Sequence, residues 1–237
     1  MFFWTSTVAP GVRVAFTDRT AGNLATRVGD HPEAVALHRR TLETALGVAP
    51  GSLRFMKQIH STTVADAGDG TPEADALVSS DGSLPLAVMV ADCVPVILVG
   101  QKGNGEPVTA AVHAGRLGVQ GNIVARTVTR MREAGAVSLS AWVGPSICGR
   151  CYEVPADMRE QVVREVPAAY GTTSWGAPSL DLPAGVRSQL EDAGVEVGSI
   201  AEGNDLCSLE NERLFSHRAV PQGRPEGRMA GLVWFSG

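Results

Sequence analysis

Val108-Thr-Ala-Ala-Val112-His113-Ala-Gly-Arg-Leu-Gly118 is the stretch that decides how this chain folds. An apolar, strand-like run ends on a histidine, and the Ala-Gly that follows permits close backbone approach at a turn. Gly121–Ala134 then places Ile123, Val124, Val128 and Met131 on one helical face, and Gly135 supplies the stop. Leu139–Val143 returns as a strand. The spacing predicts a strand–helix–strand unit over Val108–Val143, with His113 at its opening turn, where amide donors meet an anion readily.

Two further runs end in the same way. Leu53–Ile59 leads into His60, and Leu86–Val90 leads into Ala91-Asp92-Cys93. Strand ends that converge on one sheet edge aim short side chains at one point. Alone, each of these residues has an ordinary structural reading: a histidine bonded within the fold, or a cysteine serving as a small buried hydrophobe. Their shared placement points instead to a cluster of His60, Cys93 and His113. Two imidazoles and a thiolate suit a divalent metal of zinc character, and three protein ligands leave one position for water or substrate.

The flanking sequence completes a mixed α and β pattern. Val12–Thr17 reads as an early strand. Asp30 and Glu33 have capping-box spacing, with Pro32 in the first turn of a helix ending near Leu46-Gly47. Helices are expected over Pro155–Val166 and Pro183–Ala193, and strands near Val195–Ile200 and Met229–Phe235. Ala168–Ser179 is polar and glycine-containing and reads as a loop. No composition break divides the chain, so residues 1–237 are expected to form a single domain.

Composition narrows the function. With 44% apolar and 19% charged residues this is the make-up of an ordinary water-soluble protein, and a net charge of −5 weighs against nucleic acid as a partner. No apolar run is long enough to span a membrane, and Met-Phe-Phe-Trp-Thr lacks the form of a signal peptide. Four cysteines in 237 residues do not make a disulfide scaffold, so a cytoplasmic, reducing location is expected. Phosphate-binding glycine fingerprints and a nucleophile elbow are missing, which removes support for ATP, dinucleotide or serine-hydrolase chemistry. Cys148-Gly-Arg-Cys151 is a C-x-x-C motif. Two nearby structural thiols are the favoured reading over a redox pair, with a second metal at Cys148, Cys151 and Cys207 as the minor one.

Eight short motifs occur in order: Gln58-Ile-His-Ser61, Ala74-Asp-Ala-Leu-Val78, Ala91-Asp-Cys-Val-Pro-Val96, Ala111-Val-His-Ala-Gly115, Gly144-Pro-Ser-Ile147, Cys151-Tyr-Glu-Val154, Leu180-Asp-Leu182 and Phe215-Ser-His-Arg218. The series resembles the YfiH family, also called the laccase-domain, multicopper polyphenol oxidase or peptidoglycan editing factor family. The likeness runs from Phe16-Thr-Asp-Arg19 to Gly227-Arg228.

The resemblance implies an α+β fold with mixed β-sheets packed with helices in a layered α/β/β/α sandwich. It implies a metal, usually zinc, on His60, Cys93 and His113, with copper an alternative occupant in vitro. The implied activity is phosphorolysis of purine nucleosides (adenosine, inosine, guanosine or methylthioadenosine), with adenosine deamination at the same site. Purine nucleoside and phosphate are thus the expected partners of a monomer or weak homodimer.

Arg19 matches the family's N-terminal motif and is expected to hold phosphate through its planar fork. Asp75, Asp92 and Glu153 are the carboxylates within matching motifs. Asp92 is placed among the catalytic residues, and Arg116, Glu153 and His217 among the substrate-binding ones. The family turn usually reads His-Ala-Gly-Trp-Arg-Gly, whereas here it is His113-Ala-Gly-Arg-Leu-Gly118, so the tryptophan is lost and the arginine sits one position early. An alternative function is editing of cell-wall precursors, directly or through a partner. Copper-dependent phenol oxidation ranks below both, because five histidines are too few for a multicopper relay.

Overall fold

Strand alternation builds the layers of this protein, whose computed structural model describes residues 1–200 and 206–236. The first half carries β1 (Phe2–Ala9), β2 (Val12–Thr17), α1 (Pro32–Leu46), β3 (Val64–Asp66), β4 (Ala76–Ser79) and β5 (Leu86–Val90). The middle holds β6 (Val94–Lys102), β7 (Pro107–Ala114), α2 (Arg116–Gln120), α3 (Ile123–Glu133) and β8 (Ala136–Val143). Then come α4 (Ala156–Glu165), β9 (Tyr170–Thr172), β10 (Pro178–Leu180), α5 (Leu182–Asp192), β11 (Glu196–Gly198) and β12 (Met229–Phe235).

One sheet has the order β1-β2-β12-β5 and is antiparallel throughout; the larger has the order β11-β8-β6-β7-β4-β3 and is mixed. Each central strand faces two ways with a period of two. Along β6, Val94, Val96 and Leu98 pack toward α3–α5, while Ile97 and Val99 meet the inner face of the smaller sheet. There they join Val14, Phe16, Val88 and Val233. The outer face of the smaller sheet, with Ala15, Ala87, Ala230 and Leu232, is covered by Leu42 and Leu46 of α1. Three apolar layers between four layers of structure make the α/β/β/α sandwich. Phe16 fits between the sheets because Gly144 faces it: a Cβ there would come within 2.3 Å of the ring. No helix among the described residues is long and apolar enough to cross a membrane.

The strand–helix–strand unit is present in a split form. β7 and β8 run the same way, but β6 lies between them and is antiparallel to both. Ile123, Val124, Val128 and Met131 are buried as their spacing requires. Three expectations are corrected. Asp30 does not cap α1: His31 occupies that position without a side-chain bond, and Asp30 lies 4.0 Å from His38. Residues 168–179 are not all loop, because β9 and β10 pair as a hairpin closed by the Thr173–Ala177 bond.

Leu53–Ile59 is not a strand either. Its backbone makes only isolated bridges, Arg54 to Leu86 and Lys57 to Glu73. At Gln58 the side-chain amide takes over from the backbone, donating to Met89 O at 2.7 Å and accepting from Met89 N at 2.9 Å. This pairing releases the main chain to turn away toward His60.

Ile97 is fully buried between the sheets. Ile97→Ala is expected to cost about 2–5 kcal/mol, while Val137→Ala on the exposed surface changes stability by less than about 0.5 kcal/mol. Urea denaturation of both variants checks the layer assignment.

Candidate active site and metal centre

Asp75, fully buried just before β4, organises the site. Its carboxylate accepts from His113 Nδ1 at 2.7 Å, His60 N at 3.0 Å, Ser61 N at 2.6 Å and Ser61 Oγ at 2.7 Å. Its own carbonyl accepts His113 N at 2.7 Å. A carboxylate can only accept here, so Nδ1 of His113 carries the proton and Nε2 is left for a ligand. The amide bonds hold His60 at φ 58, a left-handed conformation that costs a non-glycine residue roughly 1 kcal/mol.

Cys93 follows the β5 strand through a turn in which Asp92 has φ 82. The Asp92 carboxylate accepts from Ser208 Oγ at 2.6 Å and from Arg218 N at 2.8 Å, so it straps the C-terminal segment to that turn. Cys93 Sγ thereby stands 3.9 Å from His60 Nε2. The imidazoles meet edge to face, with centroids 4.8 Å apart and planes at 84°. The three ligand atoms all lie within 4.8 Å of one another. Gly115 leaves room for them, since a Cβ there would fall 2.9 Å from His60 Cδ2 and 3.4 Å from Cys93 Sγ.

The electrostatics favour a thiolate. Burial raises the Cys93 pKa, but His113 and His60 outweigh it and bring the thiol down to about 6. Burial works against protonation of His113, yet Cys93 and Asp75 together lift it to about 9. For Asp75, the hydrogen bonds from His113 and Ser61 overcome burial and hold the carboxylate at about 2. Two nitrogens, one thiolate and a carboxylate orienting one imidazole fit a divalent metal with an open position.

The cluster opens into a cleft of about 1510 Å³. Its lining includes His60, Cys93, His113, Asp92, Arg116 and His217, bringing six of the expected residues together. Tyr152 and Arg218 join them there, the Arg218 guanidinium lying 4.9 Å from the tyrosine ring centroid. Burial and the nearby Cys93 raise the Tyr152 pKa, against the lowering influence of Arg218 and Arg116.

Two expected residues stand elsewhere. Arg19 is outside the cleft lining, and its Nη1 donates to Glu212 O at 2.8 Å. Glu153 lines a separate cavity of about 700 Å³ and accepts from Trp175 Nε1. Both were placed by motif position, and neighbours in sequence can face opposite sides of a turn. The orienting role of Asp75 and the presence of Tyr152 and Arg218 in the cleft are new. Their signals were the buried acid in Ala74-Asp75-Ala76 and the two polar positions within matching motifs.

Residues 4–236 match the family model described as multi-copper polyphenol oxidoreductase laccase. The chain belongs to this family. A purine nucleoside phosphorylase of Streptomyces coelicolor is 42% identical over 240 residues, covering 94% of this chain and 96% of that one. The crystal structure of Neisseria meningitidis protein NMB0706 superposes with a TM-score of 0.79 at 32% identity, covering 100% of this chain and 99% of the other. Bacillus licheniformis YfiH gives a TM-score of 0.79 at 26% identity over 94% and 92% of the two chains. The YfiH-like fold expected from the motifs is therefore present.

Because the Asp75 pKa is depressed from 3.8 to about 2, the carboxylate contributes about 2 kcal/mol of stability. That contribution is complete above pH 3.8 and is lost as pH falls through about 2. Asp75→Asn is expected to flatten this acid limb in urea titrations recorded at several pH values. The same substitution should weaken metal retention by about 10–100-fold in chelator competition, through loss of the orienting bond to His113.

Proposed function

We propose that the chain is a zinc-dependent purine nucleoside phosphorylase acting in the cytoplasm as one domain. The observation that carries this reading is that, of the seven arginines lining the cleft of the His60–Cys93–His113 cluster, Arg116 and Arg218 both act electrostatically on Tyr152, as Cys93 does. The phosphorylase names of the relatives support it. Arg116 has no hydrogen-bonding or ionic partner among the described residues and is only partly buried, so its guanidinium is open to an anion in the cleft.

The metal, zinc with copper as an in vitro alternative, would sit on His60, Cys93 and His113. When bound it supplies Lewis acidity at the floor of the cleft. The remaining work falls to side chains. Arg116 and Arg218 bind phosphate in place of Arg19 and orient one oxygen toward the sugar C1′. As that C–O bond forms, the glycosidic bond breaks and its electron pair leaves with the purine. Tyr152, held protonated at neutral pH, is assigned as the donor to the departing base, and His217 forms a wall for it. Asp92 acts as a positioning residue, because both of its oxygens are occupied by Ser208 and Arg218.

Adenosine deamination is a second reading, favoured by the three-ligand set and its open position. Product chromatography with the zinc-loaded protein separates the two. Phosphate-dependent release of adenine or hypoxanthine from adenosine or inosine is the expected result. Inosine formed from adenosine without phosphate would establish deamination. No product from either nucleoside would overturn the phosphorylase reading and give the lead to a cell-wall precursor substrate.

Arg116→Ala is expected to raise KM for phosphate by about 10–150-fold, the equivalent of one charged hydrogen-bonding partner. KM for the nucleoside should be unchanged. Steady-state kinetics with each substrate varied in turn checks this split.

A further inference from the structure

Away from the cleft floor, Cys148, Cys151, Cys207 and Glu210 place three sulfurs and a carboxylate oxygen within 4.8 Å of one another. All three cysteines are free thiols. We propose that these four residues form a second, structural metal site that takes a divalent cation of zinc character.

The geometry is close to what such an ion requires. At a Zn–S distance of about 2.3 Å, tetrahedral sulfurs stand about 3.8 Å apart, so only small side-chain rotations separate the present cluster from a closed site. Cys151 Sγ is already 3.4 Å from Glu210 Oε1. The backbone holds the ligands from two directions. Cys148 and Cys151 share a tight turn in which Cys151 N and Tyr152 N both donate to Cys148 O at 3.0 Å. Cys207 is fixed across from them by Ser146 N donating to Leu206 O and Ser208 N donating to Ser146 O, each at 3.0 Å. Cys148 N points at Cys207 Sγ from 3.5 Å, an amide donor suited to a bound thiolate.

A divalent cation would draw these sulfurs together as thiolates, since coordination deprotonates each thiol. With four protein ligands the site is closed, as in structural rather than catalytic zinc centres. It would pin the segment that carries Ser208, whose hydroxyl bonds Asp92 beside Cys93. The inference stands independently of the phosphorylase reading.

The test is metal stoichiometry of the full chain, purified under reducing conditions, loaded with zinc and desalted. Wild type is expected to hold two equivalents, and Cys207→Ser and His113→Ala one each. Cobalt loading of His113→Ala should give a strong thiolate-to-metal charge-transfer band that the single-thiolate centre in Cys207→Ser lacks. Should Cys207→Ser not fold, wild type alone decides: four thiols shielded from a thiol reagent until a chelator is added support the site, whereas the His60–Cys93–His113 centre alone would shield only Cys93. A single zinc per wild-type chain that Cys207→Ser keeps and His113→Ala loses would overturn it. So would two equivalents retained in folded Cys207→Ser, or a Cys148–Cys151 or Cys148–Cys207 disulfide in the loaded protein.

Discussion

A single buried carboxylate sets the geometry of the candidate active site. Asp75 lies at the start of β4, where no water reaches it, and an uncompensated charge there would be costly. Its compensation comes from the His113 imidazole and from backbone amides of the His60 loop. The same bonds that make the charge tolerable also bring two imidazoles, separated by about fifty residues of sequence, to one point. Cys93 reaches that point by a parallel device: Asp92 accepts from Ser208 and Arg218 and thereby fixes the turn on which the thiol stands. Each acid serves as a clamp on a turn of positive φ, 58 at the ligand His60 and 82 at Asp92, the residue before the ligand Cys93.

How much of this was legible in the sequence depended on whether the signal was periodic. The strands β5, β7 and β12 and the helix α3 were readable because their apolar spacing matches the layers they fill. The cluster His60, Cys93 and His113 was readable because each residue ends or follows an apolar run. What escaped were features carried by single side chains. Gln58 stands in for a strand backbone by pairing with Met89, and nothing in Leu53–Ile59 distinguishes that from an ordinary strand. Capping failed at Asp30 for a similar reason: the spacing of a box says nothing about where the chain enters the helix. Arg19 and Glu153 show the limit of motif position as a guide, since both lie in matching segments yet face other partners.

The altered turn after His113 bears on the proposed phosphate binding. In Ala-Gly-Arg-Leu-Gly the arginine stands one residue earlier than in the usual family turn, which raised the prospect of a guanidinium aimed out of the site. The fold answers through α2, which starts at Arg116 itself. Gly115 must keep its backbone against His60 and Cys93, so the helix leaves the cluster at once and its first side chain lies beside the cleft. Leu117, the residue at the usual arginine position, also borders the cleft and is 48% exposed. Two successive positions of a short helix thus reach one cavity, and the guanidinium needs only the first of them. Its long side chain can cover the small difference in origin, whereas the rigid histidine and cysteine ligands cannot. Tolerance of change at Arg116-Leu117, and none at Gly115, follows from that difference in reach.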